Sequence, residues 1–263
     1  MPILIGFGLF ISLILLKDKK WFKLALGVTL LLIAHWLYSY YGFKTKPVSS
    51  ENQHILFWNI DNRKFLPREA IREKITTYDP EIMTFSEIKK LGMTEIKYLK
   101  EQFPQYQFRM LQGYMMLAVK GEIISIEYTK LKTISKFNLA KVIIDGNHRT
   151  LLIADIGVVR RYYNRWQDLE IILQHGLENN ADMIYGDFNT PYESYHFNAY
   201  RESYKSFHDV NEGFAASWPK GLPLFELDQI WATPSITPIS LKKFYFKDFS
   251  NHDMLIGSFR FSD

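Results

Sequence analysis

The chain has 263 residues, 32 Lys and Arg against 28 Asp and Glu, a formal net charge of +4 and no cysteine. The missing thiols exclude disulfides, thiolate zinc sites and cysteine nucleophiles, and 47% hydrophobic against 23% charged residues excludes a disordered chain. The charge is unevenly placed: residues 1–50 hold six lysines and one acid, Asp18, for a net of +5, whereas 51–263 carry 26 basic and 27 acidic residues, a net of −1.

In chain order, the first element is an uncharged run at 2–16 (PILIGFGLFISLILL), followed after KDKKWFK by a second at 24–43 (LALGVTLLLIAHWLYSYYGF). At about 1.5 Å per residue the second run reaches roughly 30 Å, the thickness of a hydrocarbon core. The two read as a transmembrane helical hairpin, the first run being short for a full span. A cleaved signal peptide fits poorly, because no basic region precedes the apolar stretch and another span follows. A helical hairpin buried in a soluble protein is the alternative. Trp36, Tyr38, Tyr40, Tyr41 and Phe43 suit the interfacial end of the second helix. Four lysines at 17–23 outnumber the two that follow the second run, so the positive-inside rule puts the turn in the cytoplasm. The expectation is a multi-pass cell-membrane protein anchored in the lipid bilayer by residues 1–43, with 44–53 as a tether and 54–263 as one extracytoplasmic domain.

From His54 onward, alternating or apolar runs predict strands at 54–60, 82–86, 106–110, 114–120, 122–128, 138–145, 149–156, 182–188, 227–232, 241–246 and 254–261. Helices are predicted at 67–78, 93–103, 163–178 and 193–204. Trp166, Leu169, Ile172, Leu173 and Leu177 give the third helix one apolar face. Eleven strands with few helices fit two sheets packed face to face with helices outside, a single α/β domain.

Several strands finish on carboxylate, amide or imidazole groups: Asn59-Ile60-Asp61-Asn62, Ser86-Glu87, Gly186-Asp187-Phe188-Asn189, Asp228-Gln229-Ile230 and Ser250-Asn251-His252-Asp253. Strand period places Asp187 and Asn189 on one face, and likewise Asn59 and Asp61. Ligands in α/β sheets sit beyond strand ends, so these clusters are expected to converge. Glu87, Asp187, Asp61 and amide oxygens are hard donors suited to Mg²⁺ or Mn²⁺. HExxH and GxSxG are both absent, which removes the zinc-protease and nucleophile-elbow readings. A hard cation with carboxylates and one histidine suggests metal-assisted attack of water on a phosphate ester.

WNID, SE, GDFN, D-x-I and S-x-H, in this order over nearly all of 54–260, resemble the endonuclease/exonuclease/phosphatase superfamily, the DNase I-like fold. The resemblance implies a four-layer α/β/β/α sandwich. It makes Glu87 the principal metal ligand, helped by Asn59. Asp187 would orient or deprotonate the attacking water, and Asn189 would position that water or the phosphate. His252 would contact the phosphate, with Asp228 holding its imidazole. Asp61 matches an acid of the nuclease branch and would touch a metal. Two positions depart from the pattern: Asn251 replaces the acid expected before the histidine, where an amide oxygen still offers a metal donor without the charge, and Asp155 stands where many members carry His or Tyr. Arg160 and Arg161, just beyond, are candidate phosphate contacts.

Superfamily resemblance leaves the ester open among nucleic acid, phospholipid head group and other phosphodiesters. The near-neutral domain lacks a strong nucleic-acid footprint, although Lys130, Lys132, Lys136 and Lys141 form one basic stretch and Lys242, Lys243 and Lys247 another. Asn251 and Asp155 also support an alternative, a membrane-anchored binding module that retains the fold but is weakened in catalysis.

Overall fold

The computed structural model describes all residues except 1, 44, 46, 48, 50, 159–161, 247 and 262–263, and the side chains of all of these but 162–164. The N-terminal hairpin pairs α1 (Pro2–Ile14) with α2 (Lys19–Tyr40) through a 3₁₀ turn at Leu15–Lys17. Asp18 caps α2, its carboxylate accepting from the Lys20 and Trp21 amides at 3.2 and 3.3 Å. At Gly8 a side chain would collide with Thr29, since a Cβ would stand 2.5 Å from Oγ1. Among the described residues one helix, α2, is long and apolar enough to cross a membrane; α1 is shorter.

The domain follows in chain order as β1 (Tyr41–Gly42), β2 (Gln53–Asn59), α3 (Arg68–Tyr78), β3 (Ile82–Ser86), α4 (Met93–Gln102), β4 (Gln107–Leu111) and β5 (Met115–Val119). It continues with β6 (Glu122–Lys130), β7 (Lys136–Ile144), β8 (Asn147–Asp155), α5 (Tyr162–Glu178), β9 (Met183–Asp187), α6 (Asn198–Ser203), β10 (Lys205–Ser206) and β11 (Asn211–Phe214). The last strands are β12 (Asp228–Ala232), β13 (Ile236–Phe244) and β14 (Met254–Phe261). One sheet has the order β1-β11-β13-β14-β2-β3-β5-β4, the other β10-β12-β9-β8-β7-β6.

Strand period decides the layers. Along β2, Ile55 and Phe57 point into the inter-sheet core with Leu117, Val142, Ile153 and Tyr185. Leu56 and Trp58 point the other way, beneath Ile71 and Ile75 of α3 and Ile96 and Leu99 of α4. On the second sheet, Leu152, Ala154 and Ile184 lie under Leu169, Ile172 and Leu173 of α5 and Tyr200 of α6. Helix, sheet, sheet and helix thus stack in the expected four layers.

Four details differ from the sequence reading. The stretch 193–204 divides into a 3₁₀ turn, Tyr195–Phe197, and the short α6. Leu177 is exposed because α5 turns it past the buried stripe, and Gly176 fills the contact with Ile184 instead. Strand β13 starts at Ile236, five residues earlier than its apolar core suggested, and joins β14 through a bulge near Pro238. The hairpin is also docked on the domain. Tyr41 and Gly42 pair antiparallel with Phe214 and Gly213, and the Ala215 amide donates to the Tyr40 carbonyl at 2.8 Å. Gly42 is required there, since a Cβ would fall 1.6 Å from the Asn211 carbonyl oxygen. Trp36 and Tyr40 are buried against Phe214, Ala215 and Ala216, so of the five aromatics assigned to a membrane interface only Tyr38, Tyr41 and Phe43 remain exposed.

Candidate active site

Register brings the polar strand ends together. β2 and β3 run parallel, with Asn59 opposite Ser86, so Glu87 leaves β3 beside Asn59. β8 and β9 are parallel and end on the Asp155/Asp187 pair, while antiparallel β12 begins with Asp228 opposite Asp187. β14 runs antiparallel to β2, with Leu255 opposite Phe57, which places the 250–253 turn beside Asn59. The turn is fastened there by three bonds: Ser250 Oγ donates to the Asn59 carbonyl at 2.7 Å, His252 N to Ser250 Oγ at 3.0 Å, and Trp58 Nε1 to the His252 carbonyl at 3.1 Å.

Asp187 is the centre of the cluster. Its Oδ2 accepts from Asn59 Nδ2 at 2.9 Å and from Asn189 Nδ2 at 3.2 Å, and its Oδ1 accepts from the Asn189 amide at 2.9 Å. Asn59 Nδ2 also reaches Glu87 Oε1 at 3.2 Å, and Asn62 Nδ2 donates to Glu87 Oε2 at 2.8 Å. On the other side, His252 Nε2 stands 3.9 Å from Asp187 Oδ2, and His252 Nδ1 meets Asp228 Oδ2 at 2.8 Å. Ser217 Oγ donates to the same Asp228 oxygen at 2.6 Å. Asn59, Asp187 and Asp228 are all fully buried, so these bonds are shielded from water.

Backbone conformation is part of the construction. Asp61, Asn62, Glu87 and Asn189 all have positive φ, between 46° and 53°, a left-handed form that Asn and Asp tolerate better than Glu. Such strain concentrates at functional sites. In the GDFN motif, Gly186 has φ +146°, and a Cβ would lie 1.9 Å from the Ala154 carbonyl oxygen. Glycine therefore lets β8 and β9 close up and set Asp155 beside Asp187.

Burial dominates the electrostatics. It pushes the Glu87 carboxyl above its ordinary range, with the Asn59 bond opposing, and raises Asp187 to about 8 against the attraction of His252. For His252, burial alone would favour the neutral ring, yet the carboxylates of Asp228 and Asp187 overcome it and push the imidazole up to about 10. Asp155 pairs with Lys136 at 2.6 Å.

These contacts sort the sequence candidates. Asn59, Glu87, Asp187, Asn189, Asp228 and His252 lie in one hydrogen-bonded group. Asn189 reaches it from beyond the end of β9 through its left-handed backbone, not by strand alternation. Asp61 turns outward into an ion pair with Arg63 at 2.8 Å, contrary to shared-face placement with Asn59, because β2 ends at Asn59 and Asp61 lies in the turn. Its amide still donates to Asn59 Oδ1 at 2.9 Å. Asn251 stands next to His252, and its buried Oδ1 has no hydrogen-bond partner among the described residues. Arg160 and Arg161 lie outside the described residues. Asn62 and Ser217 have no site role in the sequence reading: Asn62 lies in the 59–62 cluster, and Ser217-Trp218-Pro219 reads as a packed loop at a place where the superfamily's loops often border the site.

The donor set fits a divalent cation. The carboxylates of Glu87 and Asp155 and the amides of Asn62 and Asn189 border one cleft, a set of hard oxygen donors, with Lys89 and Lys136 beside them. Donor atoms of Asp187, Asp228 and His252 lie within 4.8 Å of one another. A protonated imidazole cannot ligate, however, and Asp228 Oδ2 already accepts two hydrogen bonds. Glu87 is the better holder: it borders an open cleft of about 300 Å³ shared with Asn62, Tyr114, Asp155 and Asn189.

A two-sheet sandwich with an acid–amide–imidazole cluster where strands of both sheets end defines the DNase I-like fold, and comparison with solved structures bears this out. The chain has the fold of the endonuclease/exonuclease/phosphatase proteins. The human Nocturnin catalytic domain with bound sulfate is similar at TM-score 0.64 and 16% identity, over 81% of this chain and 94% of that one. TDP2 of D. rerio, complexed with a single-strand DNA product, is similar at TM-score 0.63 and 15% identity, over 80% and 100% of the two chains. A mannosyl-6-phosphatase of Bacteroides thetaiotaomicron gives TM-score 0.62 and 11% identity, over 80% and 100%. No protein-family model matches the sequence, and no curated protein matches it.

Proposed function

We propose that the protein is a membrane-anchored, divalent-metal-dependent phosphoesterase that hydrolyses a phosphodiester. The observation that carries this reading is the buried Asp187 carboxylate, held by Asn59 and Asn189 and set between Glu87 and His252. Similar structures include a phosphatase and an enzyme caught with a DNA product, both acting on phosphate esters. Mg²⁺ or Mn²⁺ held by Glu87, with Asn59 or Asn251 offering further oxygens, would draw charge from the phosphoryl oxygens.

The chain's own groups do the rest. Asp187, raised by burial and fixed by three donors, orients a water and takes its proton as the water oxygen bonds to phosphorus. Protonated His252, steadied by Asp228, donates from Nε2 to a phosphoryl oxygen and offsets the charge that develops there. The P–O bond to the leaving group breaks, the departing alkoxide takes a proton from solvent, Asp187 later returns its proton to solvent, and the product phosphate stays in the cleft beside Asn189 until release.

The anchor reading rests on α2, whose apolar length matches a bilayer, with α1 packed along it as a second, shorter span. The lysines at 17–23 put the hairpin turn in the cytoplasm and the domain outside. A C-terminal alkaline phosphatase fusion should be active; an inactive fusion reverses the orientation. Full-length protein in detergent should hydrolyse bis-p-nitrophenyl phosphate with Mg²⁺ or Mn²⁺ and stop in EDTA. Equal rates in EDTA, or an undiminished rate in Asp187→Ala, refute the enzyme. Calorimetry that finds no divalent-cation binding would favour the binding module, which Asn251 in place of an acid supports.

A further inference from the structure

The loops at the two ends of the sandwich differ in kind. At the site end, six separate connections each carry one large apolar side chain into solvent: Phe65 after β2, Tyr114 between β4 and β5, Ile134 between β6 and β7, Val158 after β8, Leu222 before β12 and Tyr245 after β13, with exposures from 47% to 70%. Tyr114, Ile134 and Val158 border the same cleft as Glu87 and Asn189. At the far end, the turns at 79–81, 120–121, 145–146, 179–182 and 233–235 expose no large hydrophobic residue. Single exposed apolar residues are ordinary, but six gathered at one end of the sandwich, three of them around one opening, mark an interaction surface.

Topology puts α2 at that end as well. β11 is parallel to β13, whose C-terminal end borders the site, and β1 is antiparallel to β11. The chain therefore enters β1 from the site end, and Trp36 and Tyr40 hold α2 against Phe214, Ala215 and Ala216 there. Exposed Lys64 and Lys132 stand on two of these loops, and Lys89 and Lys90 on the β3–α4 connection at the same end, with Lys89 Nζ 5.3 Å from the Tyr114 ring centre. Lysines beside apolar side chains suit an anionic bilayer surface.

From this placement we infer that the six-loop rim docks on a phospholipid bilayer, so that the mouth of the site faces the membrane in which α2 sits. The inference rests on the anchor reading above. A domain joined to its span by a docked helix and a paired strand has little freedom to turn away. The end from which the span emerges is thus the end held against lipid, and it is the end that carries the apolar rim.

The chain has no cysteine, so single thiols can report on each end. Full-length Ile134→Cys and Leu222→Cys, with Asn147→Cys and Ser235→Cys as far-end controls, would carry an environment-sensitive fluorophore. Each would be reconstituted into phosphatidylcholine–phosphatidylglycerol vesicles containing lipids brominated on the acyl chains. Rim labels are expected to shift to the blue and lose about half of their emission or more, since docked apolar faces sit roughly 5–10 Å into the headgroup boundary. Control labels should keep theirs. In a Phe65→Ser/Leu222→Ser background the Ile134→Cys label should regain emission while the protein still floats with the vesicles. Rim labels that emit like the controls in floated vesicles overturn the docking and leave the anchor standing. Failure to float refutes the anchor, and the docking with it.

Discussion

Replacing Asp228 by Asn removes one negative charge from the site while keeping the shape of the side chain. In the native protein, Asp228 Oδ2 accepts from His252 Nδ1 at 2.8 Å and from Ser217 Oγ at 2.6 Å, with no exposure to solvent. Burial drives His252 toward the neutral ring, and the two carboxylates reverse that. A hydrogen bond to a charged partner contributes about 1.5–3 kcal/mol, which at about 1.4 kcal/mol per pH unit lowers the imidazole pKa by roughly 1–2 units. Asp187, 3.9 Å from Nε2, would supply the remaining attraction. The ring would also lose the acceptor that fixes its Nδ1 proton, so the rate should fall by about 10²–10⁴, the usual range for a lost acid–base partner. The assay is bis-p-nitrophenyl phosphate hydrolysis by full-length enzyme with Mg²⁺, taken as a pH–rate profile beside an NMR titration of the His252 ring. A rate within about twofold of wild type across the profile, or an unmoved titration, would refute the assigned role of Asp228.

Four further outcomes follow from the same contacts. Asp187→Asn should abolish hydrolysis yet raise the melting temperature in EDTA, because a buried carboxylate raised to about 8 costs stability as pH rises from its unfolded value through that pKa. Added Mg²⁺ should stabilise wild type by about 2.7 kcal/mol at a hundredfold excess over its dissociation constant, and Glu87→Gln should remove most of that shift. His54 is 3% exposed and is lowered to about 4, first by burial and then by Lys120. The neutral ring is favoured in the fold, so stability is lost as pH falls from about 6.5 to about 4, by on the order of 3 kcal/mol; His54→Gln should flatten the denaturant midpoint over that window, and an unchanged slope would discard the assignment. Gly186→Ala should cost about 3 kcal/mol or more by strain and collision with Ala154, whereas Gly146→Ala, with φ +75° and open space around it, should cost only about 1–2 kcal/mol.

Local pattern alone placed eleven strands, all but β13 to within about two residues, because strands buried on both faces read as short apolar runs that stop at turns. It also exposed Asn59, Glu87, Asp187, Asn189, Asp228 and His252 as polar groups at strand ends, where apolar runs stop. It could not show which of these meet, since that depends on register between strands far apart in the chain: Asp187 lies opposite Asp228 through β9 and β12, and the β2–β14 pairing brings the His252 turn to Asn59 through Ser250. Only the folded chain turned Asp61 outward to Arg63 and joined Ser217 to Asp228. The hairpin shows the same division. Its apolar length is a property of composition, legible residue by residue. That Trp36 and Tyr40 are spent on Phe214 and Ala215, and that α2 joins the domain beside the site, is decided by packing between segments some 170 residues apart, which no local pattern encodes.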